Sequence, residues 1–259
     1  MTDFVVAAGH RLEIAWHGPM PDAAPTLVFL HEGLGSVSAW RDFPAKLARE
    51  TSCGALVYSR WGYGRSDPVT LPRPLGYMHD EGRVALPAVL DATGVREAIL
   101  VGHSDGGSIA IVHASSAPAR LKALVLEAAH VFCEDVSVQS IARAKEAFEH
   151  GDLRARLAKH HADVDGAFRG WSDAWLDPRF RAWNLEEFLP TIVAPTLVIQ
   201  GEDDPYGTLA QVDAIARGVR GPVETWIAPR CGHAPHRERE GEVLERMARF
   251  VRSALRPDR

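Results

Sequence analysis

The sequence predicts an α/β fold, a mostly parallel sheet of about eight strands covered by helices on both faces. Two observations carry this expectation. First, short apolar runs at 27–30, 55–58, 99–101, 124–127, 196–200 and 223–228 alternate with segments of helical period at 39–49, 80–93, 104–115, 209–217 and 240–255. Near-continuous Val, Ile, Leu and Ala in such runs suits strands buried on both faces, as parallel strands are. Second, Phe4-Val-Val-Ala7 and Leu12-Glu-Ile-Ala-Trp16 flank Gly9-His10 and alternate apolar with polar residues, which predicts an opening antiparallel hairpin.

The alternation stops between His130 and Pro190. Helical patterns at 138–150 and 153–161 fill this stretch, and no strong strand does. A chain of 259 residues suits one large domain or a core with an insert. The division expected is a core of residues 1–130 and 191–259 with a helical unit at 131–190. That unit holds Trp171, Trp175 and Trp183. Trp171 and Trp175 stand four apart and share a helix face. They either pack the unit onto the core or line an apolar pocket beneath it. His160, His161, Asp163 and Asp165 form a polar knot; His160 and Asp163 can share a face, but no third ligand is evident. A polar helix end is expected there, with no metal.

The net charge is −5 and the basic residues are scattered, which argues against a nucleic-acid or anionic-membrane partner. The stretch 246–259 is expected to be a helix with a solvated charged face. No apolar run is long enough to span a bilayer. The start, Met1-Thr-Asp-Phe-Val-Val, lacks a basic region followed by an apolar core, so no secretory signal is expected. Three cysteines fit neither a disulfide framework nor a zinc motif. Cys53 reads as buried filler and Cys231 as reachable by reagents. A reducing cytoplasm is the simplest setting.

The most informative segment is Ile99-Leu-Val-Gly-His-Ser104-Asp-Gly-Gly-Ser108. A buried strand runs into Gly102-His-Ser104-Asp-Gly106, and a helix-compatible run follows. This is a G-x-S-x-G nucleophile elbow in its expected setting; a plain Gly-rich turn is the alternative. Such a turn forces Ser104 into a strained backbone conformation and requires Gly102 and Gly106, because side chains there would collide with neighbouring elements. It also aims a helix N-terminus at developing negative charge. A serine hydroxyl needs a base, and the base needs an orienting carboxylate. Downstream, strand 196–200 ends in Glu202-Asp203-Asp204-Pro-Tyr-Gly207, and strand 223–228 ends in Pro229-Arg-Cys-Gly-His233-Ala-Pro-His236. Three strand ends thus deliver Ser, Asp and His in the order this architecture uses.

In these residues the chain resembles the α/β-hydrolase superfamily over nearly its whole length. The resemblance implies an α/β-hydrolase fold with a helical cap inserted at 131–190. A G-x-x-D loop then puts the acid at Asp204, with Asp203 the runner-up, a solvated carboxylate on the bland reading. Gly232-His233 matches the family's Gly-His before the last helix, leaving His236 as a surface or rim residue. His31-Glu32-Gly33-Leu34-Gly35-Ser36, after strand 26–30, matches the oxyanion loop. The backbone N–H groups of Gly33 and Asp105 would then hold the oxyanion. Glu32 departs from the pattern, since Gly is usual there. Ser59-Arg60-Trp61-Gly62-Tyr63-Gly64-Arg65-Ser66 resembles an Arg-Gly-x-Gly-x-Ser turn with Trp61 inserted, and is expected to hold neighbouring loops. It has neither the helix nor the acidic partner of a dinucleotide site.

The function expected is that of a cofactor-free serine hydrolase cleaving a small carboxylic ester through an acyl-enzyme. Ser104 is the nucleophile, His233 the base and Asp204 its orienter, with Glu32, Trp171 and Trp175 toward the substrate. The same parts serve thioesters, ring-fission C–C bonds, lactones, amides or perhydrolysis. Dehalogenase chemistry needs Asp in place of Ser104. A non-catalytic receptor or scaffold on this fold usually lacks a triad member, and none is lost. Glu32 and Asp105 adjoin the donor amides, where a bare carboxylate would repel an oxyanion. Each must point away or meet a cation, for which Arg60 is the candidate. Alternatively Asp105 faces the pocket and binds a substrate amino group, since its Ser-Asp-Gly-Gly elbow locally resembles that of valacyclovir-hydrolase-like enzymes.

Overall fold

The computed structural model describes residues 3–116 and 119–256. Eight strands form one sheet: β1 (Asp3–Ala7), β2 (His10–His17), β3 (Thr26–Leu30), β4 (Gly54–Tyr58), β5 (Ala98–His103), β6 (Leu121–Glu127), β7 (Thr196–Gly201) and β8 (Val223–Ala228). Their order is β1-β2-β4-β3-β5-β6-β7-β8. β2 runs antiparallel to β1 and β4, and all other pairs are parallel, as the alternation predicts. The hairpin turn uses positive φ at Ala8 and Gly9 (50° and 81°), a two-residue geometry that matches strand twist.

Side chains alternate between two cores. Val28, Leu30, Leu56, Leu100, Leu124 and Val198 face one side of the sheet. Leu27, Phe29, Val57, Ile99, Val101, Val125 and Ile199 face the other. The helices are α1 (Phe43–Thr51), α2 (Tyr77–Asp80), α3 (Leu86–Ala92), α4 (Asp105–Ser116), α5 (Asp135–His150), α6 (Leu153–Leu157), α7 (Val164–Leu176), α8 (Leu209–Gly218), α9 (Pro235–Glu238) and α10 (Glu240–Ala254). A π-helical turn, Glu81–Ala85, joins α2 to α3. Among the described residues no helix is long and apolar enough to cross a membrane.

Two helical expectations are shortened, each for a local reason. The helix expected at 39–49 is broken at Arg41, whose φ is 55°; a short 3-10 turn, Val37–Trp40, precedes α1. The break lets Trp40 turn edge-on to Phe29, ring centres 5.1 Å apart. The helix expected at 153–161 stops at Leu157 because His161 is held elsewhere. Its Nδ1 accepts from the Gly64 amide (3.0 Å) and its Nε2 donates to the Leu34 carbonyl (2.9 Å). At the C-terminal end, α10 ends at Ala254, and residues 257–259 of the expected helix 246–259 lie outside the described residues.

Between β6 and β7 the chain is helical, with one isolated bridge, Phe132 to Asn184. α5 and α7 meet through Phe148 stacked on Phe168 at 3.8 Å. In the sheet, β3 lies between β4 and β5, so the strand order reverses there. Open α/β sheets bind ligands at the carboxyl ends of strands beside such a reversal.

Candidate active site

The sharp turn after β5 sets Ser104 at φ 52°, a left-handed conformation uncommon for a residue with a side chain. A Cβ on Gly102 would lie 2.4 Å from the Gly106 carbonyl, and one on Gly106 would lie 2.0 Å from the Leu30 carbonyl. Both glycines are therefore obligatory, as the elbow reading requires. The Ser104 amide donates to Glu127 at the end of β6 (2.8 Å). The next residue, Asp105, opens α4, so first-turn amides without intrahelical acceptors lie beside the serine.

After β7, the loop buries the Asp204 carboxylate and leaves Asp203 exposed. His233 Nδ1 lies 2.9 and 2.8 Å from the two Asp204 oxygens. The same carboxylate accepts from Gln200 Nε2 and from the Tyr206 amide, each at 2.8 Å. Burial alone would raise the Asp204 carboxyl; the His233 hydrogen bond and charge, helped by the Tyr206 amide, prevail and lower it. With Nδ1 taken, Nε2 is the nitrogen left for the pocket.

Ser104, His233, Gly33 and Asp105 line one pocket with about 100 Å³ of room. Glu32, Trp171 and Trp175 line it as well, together with Leu34, His130, Ser137, Ile141 and Tyr206. α7 explains the two tryptophans: four residues apart, they present one face to the core, 6 % and 2 % exposed. A Cβ on Gly33 would lie 2.2 Å from Trp171 Nε1, so the indole rests directly on the expected oxyanion loop. Trp175 Nε1 donates to the Tyr77 hydroxyl (3.1 Å) and to Asp105 Oδ1 (3.3 Å).

The two extra carboxylates are each turned to partners. Asp105 Oδ2 accepts from the Tyr77 hydroxyl at 2.5 Å and lies 3.8 Å from Arg60 Nη2, with Arg60 fully buried. Arg60 also donates to the Glu32 carbonyl (3.0 Å). The Glu32 side chain instead folds back against Gly35, where a Cβ would lie 2.3 Å from Oε2. There it faces His103 Nδ1 at 3.5 Å and Arg237 Nη2 at 3.7 Å. Burial would raise the Glu32 carboxyl, but the facing His103 ring, with the Arg237 charge behind, holds it well below the usual range.

Two expectations are corrected. His236 is not a rim residue: it is 2 % exposed, its Nδ1 lies 2.9 Å from Glu127 Oε2 and its amide donates to Oε1 (2.6 Å). α9 turns it inward onto Trp40 and Phe43, which its position after His233 gave no means to foresee. Cys231 is not reachable; it is 1 % exposed, and burial pushes its thiol up to about 11. Cys53 is buried as expected. The polar knot disperses: His160 pairs with Ser38, His161 bridges Gly64 and Leu34, Asp163 caps α7, and Asp165 pairs with Arg154. Among the described residues no group of three or more His, Cys, Asp or Glu side chains is placed to hold a metal ion. Sequence reasoning missed His103, Tyr77, His130 and Tyr206. His103 had a signal in its place inside the elbow; Tyr77 and His130 reach the site through packing alone.

Residues 27–246 match the sequence profile of the alpha/beta hydrolase family. The chain belongs to this family. The hydrolase is 30 % identical over 251 residues to the protein named "Putative carbamate hydrolase RutD" in Variovorax paradoxus, covering 89 % of this chain and 91 % of that one. It is 28 % identical over 258 residues to 2-succinyl-6-hydroxy-2,4-cyclohexadiene-1-carboxylate synthase of an Enterobacter species, covering 90 % and 93 %. In fold it is similar to the enol-lactonase of Burkholderia xenovorans, with TM-score 0.75, 19 % identity, and coverage of 96 % and 99 %.

Proposed function

We propose that this hydrolase cleaves a small, uncharged carboxylic ester through an acyl-enzyme on Ser104. The observation that carries the proposal is the pocket in which the strained Ser104 and the Asp204-bound His233 meet Gly33 and the first turn of α4. In this reading His233 Nε2 takes the Ser104 proton as Oγ attacks the ester carbonyl. The Gly33 and Asp105 amides hold the resulting oxyanion, a contribution of about 3–4 kcal/mol for one donor in comparable sites. Collapse of the intermediate expels the alcohol, which receives the proton from His233. Water, activated by the same imidazole, then attacks the acyl-enzyme, and Ser104 regains its proton as the acid departs. Asp204 keeps the imidazole in the tautomer with Nδ1–H and stabilises its cation.

Size and charge narrow the substrate. About 100 Å³ of room admits a short acyl or small aryl group. Among the lining residues there is no Lys or Arg, and the carboxylates that line the pocket, Glu32 and Asp105, already face Arg237, His103 and Arg60. A carboxylate-bearing ring-fission product or cyclohexadiene carboxylate would find no free cation there, which favours the ester over C–C chemistry on acids. Thioesters and carbamates use the same parts. The helices between β6 and β7 serve as the cap, with Trp171 and Trp175 as the pocket roof.

Fluorophosphonate labelling tests the nucleophile; labelling is expected at Ser104 and lost in Ser104→Ala. A panel of acetyl, benzoyl and hemisuccinyl esters, thioesters and carbamates tests the substrate. Short neutral esters are expected to have the highest kcat/KM. Preference for the hemisuccinyl compounds would overturn the charge argument, and full turnover by Ser104→Ala would overturn the whole reading.

A further inference from the structure

We propose that His103 is a positioning residue, an imidazolium whose Nε2 donates to the main chain of His233 and whose Nδ1 side forms a charge contact with Glu32, so that one ring ties the expected oxyanion loop and the elbow to His233. The proposal rests on the active-site reading above and names the device that keeps its parts in register. His103 is the last residue of β5 and immediately precedes Ser104. Its Nε2 lies 2.6 Å from the His233 carbonyl oxygen. Its Nδ1 lies 3.5 Å from Glu32 Oε2, on the residue before Gly33. The ring is 2 % exposed.

Both neighbours are acceptors. A neutral imidazole that donates from Nε2 would turn the lone pair of an unprotonated Nδ1 toward the Glu32 carboxylate. The doubly protonated ring keeps the His233 hydrogen bond and sets a positive charge against Glu32. The surroundings favour that charge. Glu32 faces the ring from the loop after β3, and Glu127 does so from the end of β6, in register with His103. The rings of His233 and His236 face it at 5.1 Å each, and Trp40 packs at 6.2 Å. Arg237 lies behind Glu32, 3.7 Å from its other oxygen. Burial works against the cation, but the facing Glu32 carboxylate and the Glu127 charge prevail, and His103 is raised to about 9. This gives Glu32, which stands where a glycine was expected, a definite task.

The sign of the pH effect follows. A raised histidine keeps its clamp fully at neutral pH and loses it as pH rises through about 9. Loss of the clamp loosens the His233 backbone and the loop beside Gly33 together. Such a misplacement lowers kcat without weakening ground-state binding.

The test uses the full chain labelled with ¹⁵N-histidine. His103 is expected to show both ring N–H signals at neutral pH and to titrate near 9, with a lower midpoint in Glu32→Gln. His103→Gln, checked for native fold by circular dichroism, is expected to lose about ten- to a hundredfold in kcat with KM within about twofold. Its alkaline loss of activity near the His103 titration should disappear. A neutral His103 ring at neutral pH, or a folded His103→Gln enzyme with unaltered kcat and pH profile, overturns the clamp. Ser104→Ala separates the two readings. If it retains turnover the ester mechanism fails, while the ring N–H measurement on the unaltered protein still decides the charge on His103.

Discussion

Trp171 and Gly33 are in direct contact at the pocket wall: any side chain at position 33 would begin 2.2 Å from the indole nitrogen. Gly33 is thus fixed by a residue 138 positions away, on a helix of the insert. Gly33→Ala is expected to displace the loop or the indole and to lower kcat/KM by about a hundredfold, the scale of a misplaced donor. Trp171→Ala should partly restore the Gly33→Ala enzyme by making room for the methyl group. A double-mutant cycle on a short acetyl ester measures this coupling. If Gly33→Ala costs the same in both backgrounds, the contact is not the reason for glycine at 33.

Asp204 and Asp203 are adjacent in sequence but opposite in environment. One carboxylate is buried on His233, and the other is in solvent. Asp204→Asn is expected to reduce kcat by roughly ten-thousandfold, because an amide there no longer selects the Nδ1–H tautomer. Asp203→Asn should leave kcat within about twofold, as a surface substitution does. Steady-state kinetics on the two variants is sufficient; a crippled Asp203→Asn enzyme beside an active Asp204→Asn enzyme would reverse the assignment.

The parts of the site legible in the sequence are those that local backbone chemistry demands. Gly102 and Gly106 announce the Ser104 turn because no side chain fits at either position. The strand ends after β7 and β8 place Asp204 and His233 in order, and the spacing of Trp171 and Trp175 puts them on one helix face. Near-continuous apolar runs likewise announce β3 to β7, which are buried almost throughout, and β8 at the edge, while apolar–polar alternation announces the β1–β2 hairpin. What stayed hidden depends on tertiary approach. Tyr77 reaches Asp105 from a helix 28 residues earlier, and His236 reaches Glu127 across 109 residues. Glu32 was visible as an anomaly, but its partners His103 and Arg237 were not, because the backward fold over Gly35 that joins them is a property of the packed loop.

Acid sensitivity should be traceable to the same carboxylates. Burial alone would raise both Asp204 and Glu32; their histidine partners overcome it and hold both below their ordinary values. A depressed carboxyl contributes stability that is present above the unfolded-state pKa and is lost as pH falls through the folded one. The melting temperature should therefore decline as pH drops below about 4, near the unfolded carboxyl values. Glu32→Gln should be less stable than the unaltered hydrolase at neutral pH and show a flatter acid limb. Thermal melts in a series of buffers measure both; an unchanged acid limb in Glu32→Gln would mean that Glu32 carries no such linkage.

Asp105 offers the sharpest choice between bracing and recognition. Its Oδ2 accepts from Tyr77 and faces Arg60, and its Oδ1 accepts from Trp175. Arg60 is fully buried, with its guanidinium over the Tyr63 ring at 4.6 Å. Removing the negative charge leaves that cation without its near partner, and breaking a buried pair costs about 3 kcal/mol or more. A carboxylate so engaged has little capacity left for a substrate ammonium group. Asp105→Asn is therefore expected to melt at a distinctly lower temperature. It should also lose activity equally on an amino-acid ester and on the same ester without its amino group. The comparison is made as kcat/KM for the two esters in both proteins, below the variant's melting range. A loss confined to the amino ester, with the melting temperature unchanged, would instead make Asp105 a recognition group for a cationic substrate, and the Arg60 contact incidental.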